Sequence, residues 1–151
     1  MYIEYFRTRD TAQAPRRANP SDAGMDLAFA PDVPGSITIH PGESMICATG
    51  LKFGVPHGYM LQIMNRSSVA ARRSLIVGAH VVDAGYNGEV FINLHNIGNQ
   101  PQVVRSGEYI AQAVLLPVVH VSPVEYEWDD LYSQVRVHSS RGEGALGSTD
   151  E

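Results

Sequence analysis

The stretch Val81-Val82-Asp83-Ala84-Gly85-Tyr86-Asn87-Gly88-Glu89-Val90, running on into Phe91-Ile92-Asn93-Leu94, sets a carboxylate and an aromatic ring on a glycine-bearing turn between two apolar segments. β-branched residues on either side of Asp, Asn and Gly favour extended chain over helix, so the segment predicts a strand, a turn and a returning strand. An acid at the tip of such a hairpin is fixed in place yet reaches solvent, as a general base requires. The same residues also suit an ordinary Asp-Gly turn with an exposed tyrosine, because Asp and Gly form turns everywhere.

Outward from this stretch, short apolar runs alternate with Pro, Gly and Asn. The pattern predicts strands at Tyr2–Phe6, Met25–Phe29, Ser36–Ile39, Ser44–Phe53, Gly58–Met64, Leu75–Val82, Glu89–Asn96, Gln102–Val104 and Tyr109–Val118. Many short strands at this spacing mean an all-β sandwich or barrel. One short helix fits at Ser67–Arg73, with Ala70 and Ala71 inward and Arg72 and Arg73 facing solvent. After Val118 the chain becomes acidic and aromatic (Glu125-Tyr126-Glu127-Trp128-Asp129-Asp130), as expected of a solvated connector with Trp128 packed down. The glycine-rich end, Arg141 to Thr149, is too flexible for a core element.

At 151 residues the chain is long enough for one domain with a real core. A net charge of −5 argues against nucleic acid as a partner. An anionic substrate then needs a local Arg cluster or a divalent cation to overcome the global repulsion. No apolar run is long enough to span a membrane, and Met1-Tyr2-Ile3-Glu4-Tyr5-Phe6 does not resemble a signal peptide. The single cysteine, Cys47, excludes an internal disulfide and points to a reducing, cytoplasmic setting, whether of a cell or of an infected host. The six histidines lack the close pairing that zinc sites use.

Four further segments carry polar chemistry. Asn65-Arg66-Ser67-Ser68 places a guanidinium and two hydroxyls at the start of the short helix, a plausible anion site unless Ser67 merely caps the helix. In Ser21-Asp22-Ala23-Gly24-Met25-Asp26, the second carboxylate lies where a strand begins and could hold the water shell of a magnesium ion. Gln112 interrupts an otherwise apolar strand with an amide. In the tail, Arg141, alternating glycines and Ser148-Thr149 suit a loop that wraps phosphates, although most such runs are simply disordered.

Together and in this order, the five segments resemble the five motifs of the trimeric dUTPases, over residues 22–149. The resemblance implies a β jelly roll that forms a homotrimer with active sites shared between subunits. It implies hydrolysis of dUTP to dUMP and pyrophosphate with Mg2+. It divides the chain into a β core with a connecting arm (1–140) and a flexible phosphate-binding lid (141–151). Carried over by residue, Asp83 would be the general base and Tyr86 would stack beneath the deoxyribose, excluding a 2′-hydroxyl. The backbone around Gly78–Val90 would read the uracil edge. Arg66, Ser67, Ser68 and Gln112 would hold the triphosphate, and Asp26 would bind metal through water. Arg141 with Gly147, Ser148 and Thr149 would close over the γ-phosphate, and Leu146 would cover the base.

Several positions depart from the family pattern: Asn65 stands for Pro, Ser68 for Gly, His80 for Gly, Gly85 for Asp, Tyr109 for Arg and Ala145-Leu146 for Gly-Phe. Arg66–Ser68 and Asp83–Tyr86 also resemble the dCTP deaminases, which share the fold. Deamination, however, needs a proton-shuttling Glu where this chain has Asn93, and an amide cannot serve. A regulatory nucleotide-binding protein with little turnover is the third possibility, from a different functional class.

Overall fold

The computed structural model describes residues 1–134, so the tail residues Arg141, Leu146, Gly147, Ser148 and Thr149 lie outside the described part. The strands are β1 (Glu4–Arg7), β2 (Met25–Ala28), β3 (Ser36–Ile39), β4 (Ser44–Ala48), β5 (Leu51–Gly54) and β6 (Tyr59–Asn65). Helix α1 (Ser67–Arg73) follows, then β7 (Leu75–Val77), β8 (Val81–Val82), β9 (Phe91–Asn96), β10 (Gln102–Arg105) and β11 (Tyr109–Pro117). The chain divides into two compact units, Met1–His120 and Val121–Glu151. Among the described residues of the second, a 3-10 turn spans Trp128–Asp130, and Trp128 is 70% exposed rather than packed down.

Every ladder is antiparallel. One sheet has the order β2-β11-β6-β8 and a second the order β4-β9-β7, while β1 pairs with β5 and β3 with β10. Neighbours such as β2 and β11 are far apart in sequence, and such long-range pairing between short strands gives the all-β jelly roll. The inner faces bury Leu27, Ile39, Leu51, Leu61, Ile63, Leu75, Ile92, Leu94 and Ile110 almost completely. Along β9 the alternation is regular: Ile92, Leu94 and Asn96 point inward, and Phe91, Asn93 and His95 point outward. Buried Asn96 needs partners; its amide donates to the carbonyls of Ile39 and Gln100, each at 2.8 Å, and its oxygen accepts from Gly98 at 3.0 Å. Among the described residues no helix is long and apolar enough to cross a membrane.

Two of the expected strands are each split into two. Ser44–Phe53 breaks at Thr49-Gly50, where Gly50 takes a φ of +67° and its N–H donates to Glu89 Oε1 at 2.8 Å. A Cβ there would also lie 2.6 Å from that of Ala12, so the position needs glycine twice over. Leu75–Val82 breaks at Gly78-Ala79-His80. Its first half pairs with β9, its second half with β6, and the two sheets are thereby joined by one short segment. His80 fixes the crossing: Ile63 N–H donates to its carbonyl at 2.7 Å, and His80 Nδ1 donates back to the Ile63 carbonyl at 2.9 Å. The Asp83 turn is therefore a loop between strands of different sheets rather than the tip of a hairpin, and the strand beyond it begins at Phe91, not Glu89. Helix α1 spans the expected residues but buries Val69, not the alanine pair. Arg73 turns back from solvent to ion-pair with Glu108.

Candidate functional site

Three strands bring the first cluster together. Gln112 on β11 lies in register with Asp26 on β2 and with Met64 on β6, so the residues that follow Met64 stand beside both. Gln112 Nε2 donates to the Asn65 carbonyl at 2.8 Å. Arg66 Nε lies 2.9 Å from Asp26 Oδ1, and Arg66 Nη1 donates to the Tyr109 carbonyl at 2.7 Å. The N-cap of α1 is Arg66, with no side-chain hydrogen bond to the helix, so Ser67 does not act as a cap. Both serine side chains instead face an open polar cleft of about 300 Å³, shared with Asp22, Asp26, Arg66 and Gln112. The cleft can receive an anion: a guanidinium, two hydroxyls and an amide supply donors, and the ion pair fixes Arg66.

Gly24 controls how that amide sits. A Cβ at this position would lie 2.1 Å from Gln112 Oε1 and 2.9 Å from its Cδ, so any larger residue would displace the amide. Asp26 as a metal ligand can be tested on its donor set. Among the described residues no group of three or more His, Cys, Asp or Glu could cage an ion. One carboxylate, with an oxygen already engaged by Arg66, fits a magnesium ion held through its waters and substrate phosphates, because Mg2+ keeps several waters.

The second cluster is on the loop after β8. Asp83 is exposed and shares a cleft of about 360 Å³ with Val81, Val82, Tyr86, Glu89 and Phe91. The Tyr86 ring folds back over its own turn: its hydroxyl donates to the Glu89 carbonyl at 2.9 Å, and a Cβ on Gly88 would strike it at 2.3 Å. The loop is anchored at its far end. Glu89 pairs with Arg9 and accepts from Gly50, while Arg9 also reaches the Ala30 carbonyl at 2.7 Å and Asp32 at 2.9 Å. Val90 is bound on both sides, to the Thr49 hydroxyl at 2.5 Å and the Leu51 carbonyl at 2.8 Å.

Gly78 stands apart from both clefts. Its N–H already donates to the Asn93 carbonyl at 2.8 Å, and the side chains of Asn93 and His95 occupy the space a Cβ would need. Asn93 Oδ1 lies 2.7 Å from His95 Nε2, and no carboxylate occupies that position. Among the described candidates, then, Asp26, Arg66, Ser67, Ser68 and Gln112 come together in one cleft, and Asp83 shares its own with Tyr86. Sequence reasoning missed the Arg9–Glu89 pair and the close packing of Gly24 on Gln112. It also missed Arg16, whose guanidinium lies 4.3 Å above the centre of the Tyr109 ring. The visible signal for the last was the aromatic residue at position 109.

A dUTPase family model matches residues 10–149. A deoxyuridine 5'-triphosphate nucleotidohydrolase of Anaplasma marginale is 36% identical over 137 residues, covering 89% of this chain and 87% of that protein. One from Gloeobacter violaceus is 43% identical over 113 residues, 74% of this chain and 76% of that protein. Among solved structures, a mutant Staphylococcus bacteriophage 80alpha dUTPase with dUpNHpp superposes with a TM-score of 0.84 at 23% identity, over 98% of each chain. A mutant dUTPase from phage phi11 of S. aureus, described with a structural Mg(II) ion, superposes with a TM-score of 0.77 at 21% identity, over 84% of this chain and 97% of that one.

Proposed function

The chain belongs to the dUTPase family, and from that premise we propose that it hydrolyses dUTP to dUMP and pyrophosphate in a magnesium-dependent reaction. The supporting observation is that residues from three separate sequence motifs meet in one polar cleft: Asp26, Arg66 with Ser67 and Ser68, and Gln112. Their donors neutralise the triphosphate. The Asp83 carboxylate takes a proton from water, whose oxygen bonds to the α-phosphorus as the bond from that phosphorus to the α,β-bridging oxygen breaks. Pyrophosphate leaves, and the proton passes from Asp83 to solvent. Bound Mg2+ supplies further neutralisation of the phosphates, with Asp26 holding its water shell.

Asp83 and the Asp26 cleft have no lining residue in common within one chain. That arrangement suits a homotrimer in which each site draws on neighbouring subunits. Tyr86 takes the sugar and the backbone around Gly78–Val90 the base. Arg141, Gly147, Ser148 and Thr149 close over the γ-phosphate, and Leu146 covers the base. Asn93, engaged with His95, offers no proton shuttle for deamination.

The deciding experiment is a panel of dUTP, dCTP, dTTP and UTP, with and without Mg2+, read for pyrophosphate and ammonia, on wild type and Asp83→Asn. Pyrophosphate from dUTP alone is expected, with a loss of ~10²–10⁴ in Asp83→Asn while nucleotide binding persists. Near wild-type turnover in Asp83→Asn refutes the role of Asp83, and ammonia from dCTP refutes the reaction.

A further inference from the structure

We infer that Arg16 and Arg72 extend the phosphate cleft into an oligophosphate subsite for the two phosphates that depart as pyrophosphate. The inference rests on the dUTP hydrolysis proposed above. Beside the Asp26 cleft lies a second one of about 390 Å³, whose walls include Arg16, Arg66, Ser68, Arg72, Arg73 and Tyr109. Arg66 and Ser68 line both clefts, so the two are neighbours across those side chains.

The four guanidinium groups are not equivalent. Arg73 is fully engaged: it pairs with Glu108, donates from Nε to Gln102 Oε1 at 3.1 Å and from Nη2 to the Val103 carbonyl at 2.7 Å. Arg66 is balanced by Asp26. Arg16 and Arg72, both exposed, have no carboxylate partner among the described residues. In a chain of net charge −5, two guanidinium groups without a carboxylate partner among the described residues thus line the cleft beside the one that holds Asp26.

Arg16 is also ordered without a carboxylate. Its guanidinium lies over the Tyr109 ring, and its backbone bridges to Asp26, with Asp26 N–H donating to the Arg16 carbonyl at 2.7 Å. Stacking holds the planar group by its face and leaves its edge N–H groups to bind phosphate oxygens. A ligand that contacts Arg16, Arg66 and Arg72 together needs several anionic centres in a row. A monoanion engages one of them; pyrophosphate, free or at the end of a nucleotide, can span more than one.

The test is calorimetric titration of the full chain with inorganic pyrophosphate and, separately, inorganic phosphate and dUMP, all in EDTA so that metal coordination contributes nothing. Arg16→Gln with Arg72→Gln should weaken pyrophosphate binding at least tenfold and leave dUMP within twofold. Tyr109→Leu, which keeps both charges but removes the ring, should lose an intermediate amount. In turnover, product inhibition by pyrophosphate should weaken in step, with KM rising more than kcat falls. Undiminished pyrophosphate affinity in the double variant overturns the subsite, as does equal wild-type affinity for phosphate and pyrophosphate. Either result can coexist with intact dUTP hydrolysis. Absence of hydrolysis in the wild type would instead refute the proposed reaction.

Discussion

Replacing Glu89 tests whether the loop bearing Asp83 depends on its anchor. The side chains of Arg9 and Glu89 are only 19% and 12% exposed, and Glu89 additionally accepts the Gly50 N–H at 2.8 Å. Once the carboxylate is gone, Arg9 keeps Asp32, but that side chain is 86% exposed. A pair so open to solvent contributes about 0–1 kcal/mol and compensates little. Removing one member of a buried pair costs about 3–5 kcal/mol; the residual solvent access here places Glu89→Ala near the lower end. Glu89→Gln keeps an acceptor for Gly50 and loses the charge, so about 1.5–2 kcal/mol is expected. Urea unfolding at one fixed protein concentration measures both, as a shift of midpoint at constant m. A double-mutant cycle with Arg9→Met isolates the pair: the second substitution should cost about 2 kcal/mol less than it does alone. Glu89→Ala within about 0.5 kcal/mol of wild type, or an additive cycle, refutes the anchoring role.

Gly24→Ala must push the Gln112 amide aside, because the new methyl would lie 2.1 Å from its Oε1. With a charge-assisted contact to phosphate lost, KM for dUTP should rise about tenfold or more, and an unchanged KM in steady-state kinetics would remove Gln112 from the triphosphate site. Tyr86→Ala should raise UTP turnover relative to dUTP. Tyr86→Phe should leave that ratio alone and lose only the bond to the Glu89 carbonyl, about 1 kcal/mol by urea titration; equal ratios in both variants would confine the ring to packing its own turn. Cys47 is fully buried, and burial pushes its thiol from the ordinary 9.0 up to about 12. The native protein should therefore resist iodoacetamide at pH 8 and react only on unfolding. Because the folded state keeps the proton longer, Cys47 favours folding fully below pH 9.0, and that contribution fades between pH 9.0 and about 12, by at most ~1.4 kcal/mol per pH unit. Stability that stays flat over that interval in Cys47→Ala but falls in wild type would match this sign.

The fold was legible wherever strand and turn signals agreed. Residues 36–39 and 91–96 alternate between inner and outer faces, and these strands and β2 lie close to the expected spans. The breaks at Thr49-Gly50 and at Gly78–His80 were not legible, because an apolar run keeps the same composition when it passes from one sheet to another. Only the partners reveal the change, and partner choice is tertiary. That Asp26, Arg66, Ser67, Ser68 and Gln112 would matter was legible residue by residue, since Arg, Ser, Gln and Asp in an apolar framework stand out; the structure brings them into one polar cleft. That it would be separate from Asp83 on one chain was not, because no residue type signals which cleft it will face. Arg9 and Glu89 escaped notice for a similar reason: 80 positions apart, each reads as an ordinary surface charge.

The division of residues 75–82 between two sheets also governs when, during folding, the carboxylate reaches its place. Val77 needs Leu94 opposite it, and Val82 needs Leu61. The turn that follows is complete only when Thr49, Gly50 and Leu51 have closed on Glu89 and Val90. Such pairings span long loops, which places the chain among the slower folders. Neither sheet alone can set the position of Asp83. A collapsed intermediate rich in β-structure would therefore be catalytically silent, and recovery of turnover after dilution from urea should lag behind the far-ultraviolet circular dichroism signal.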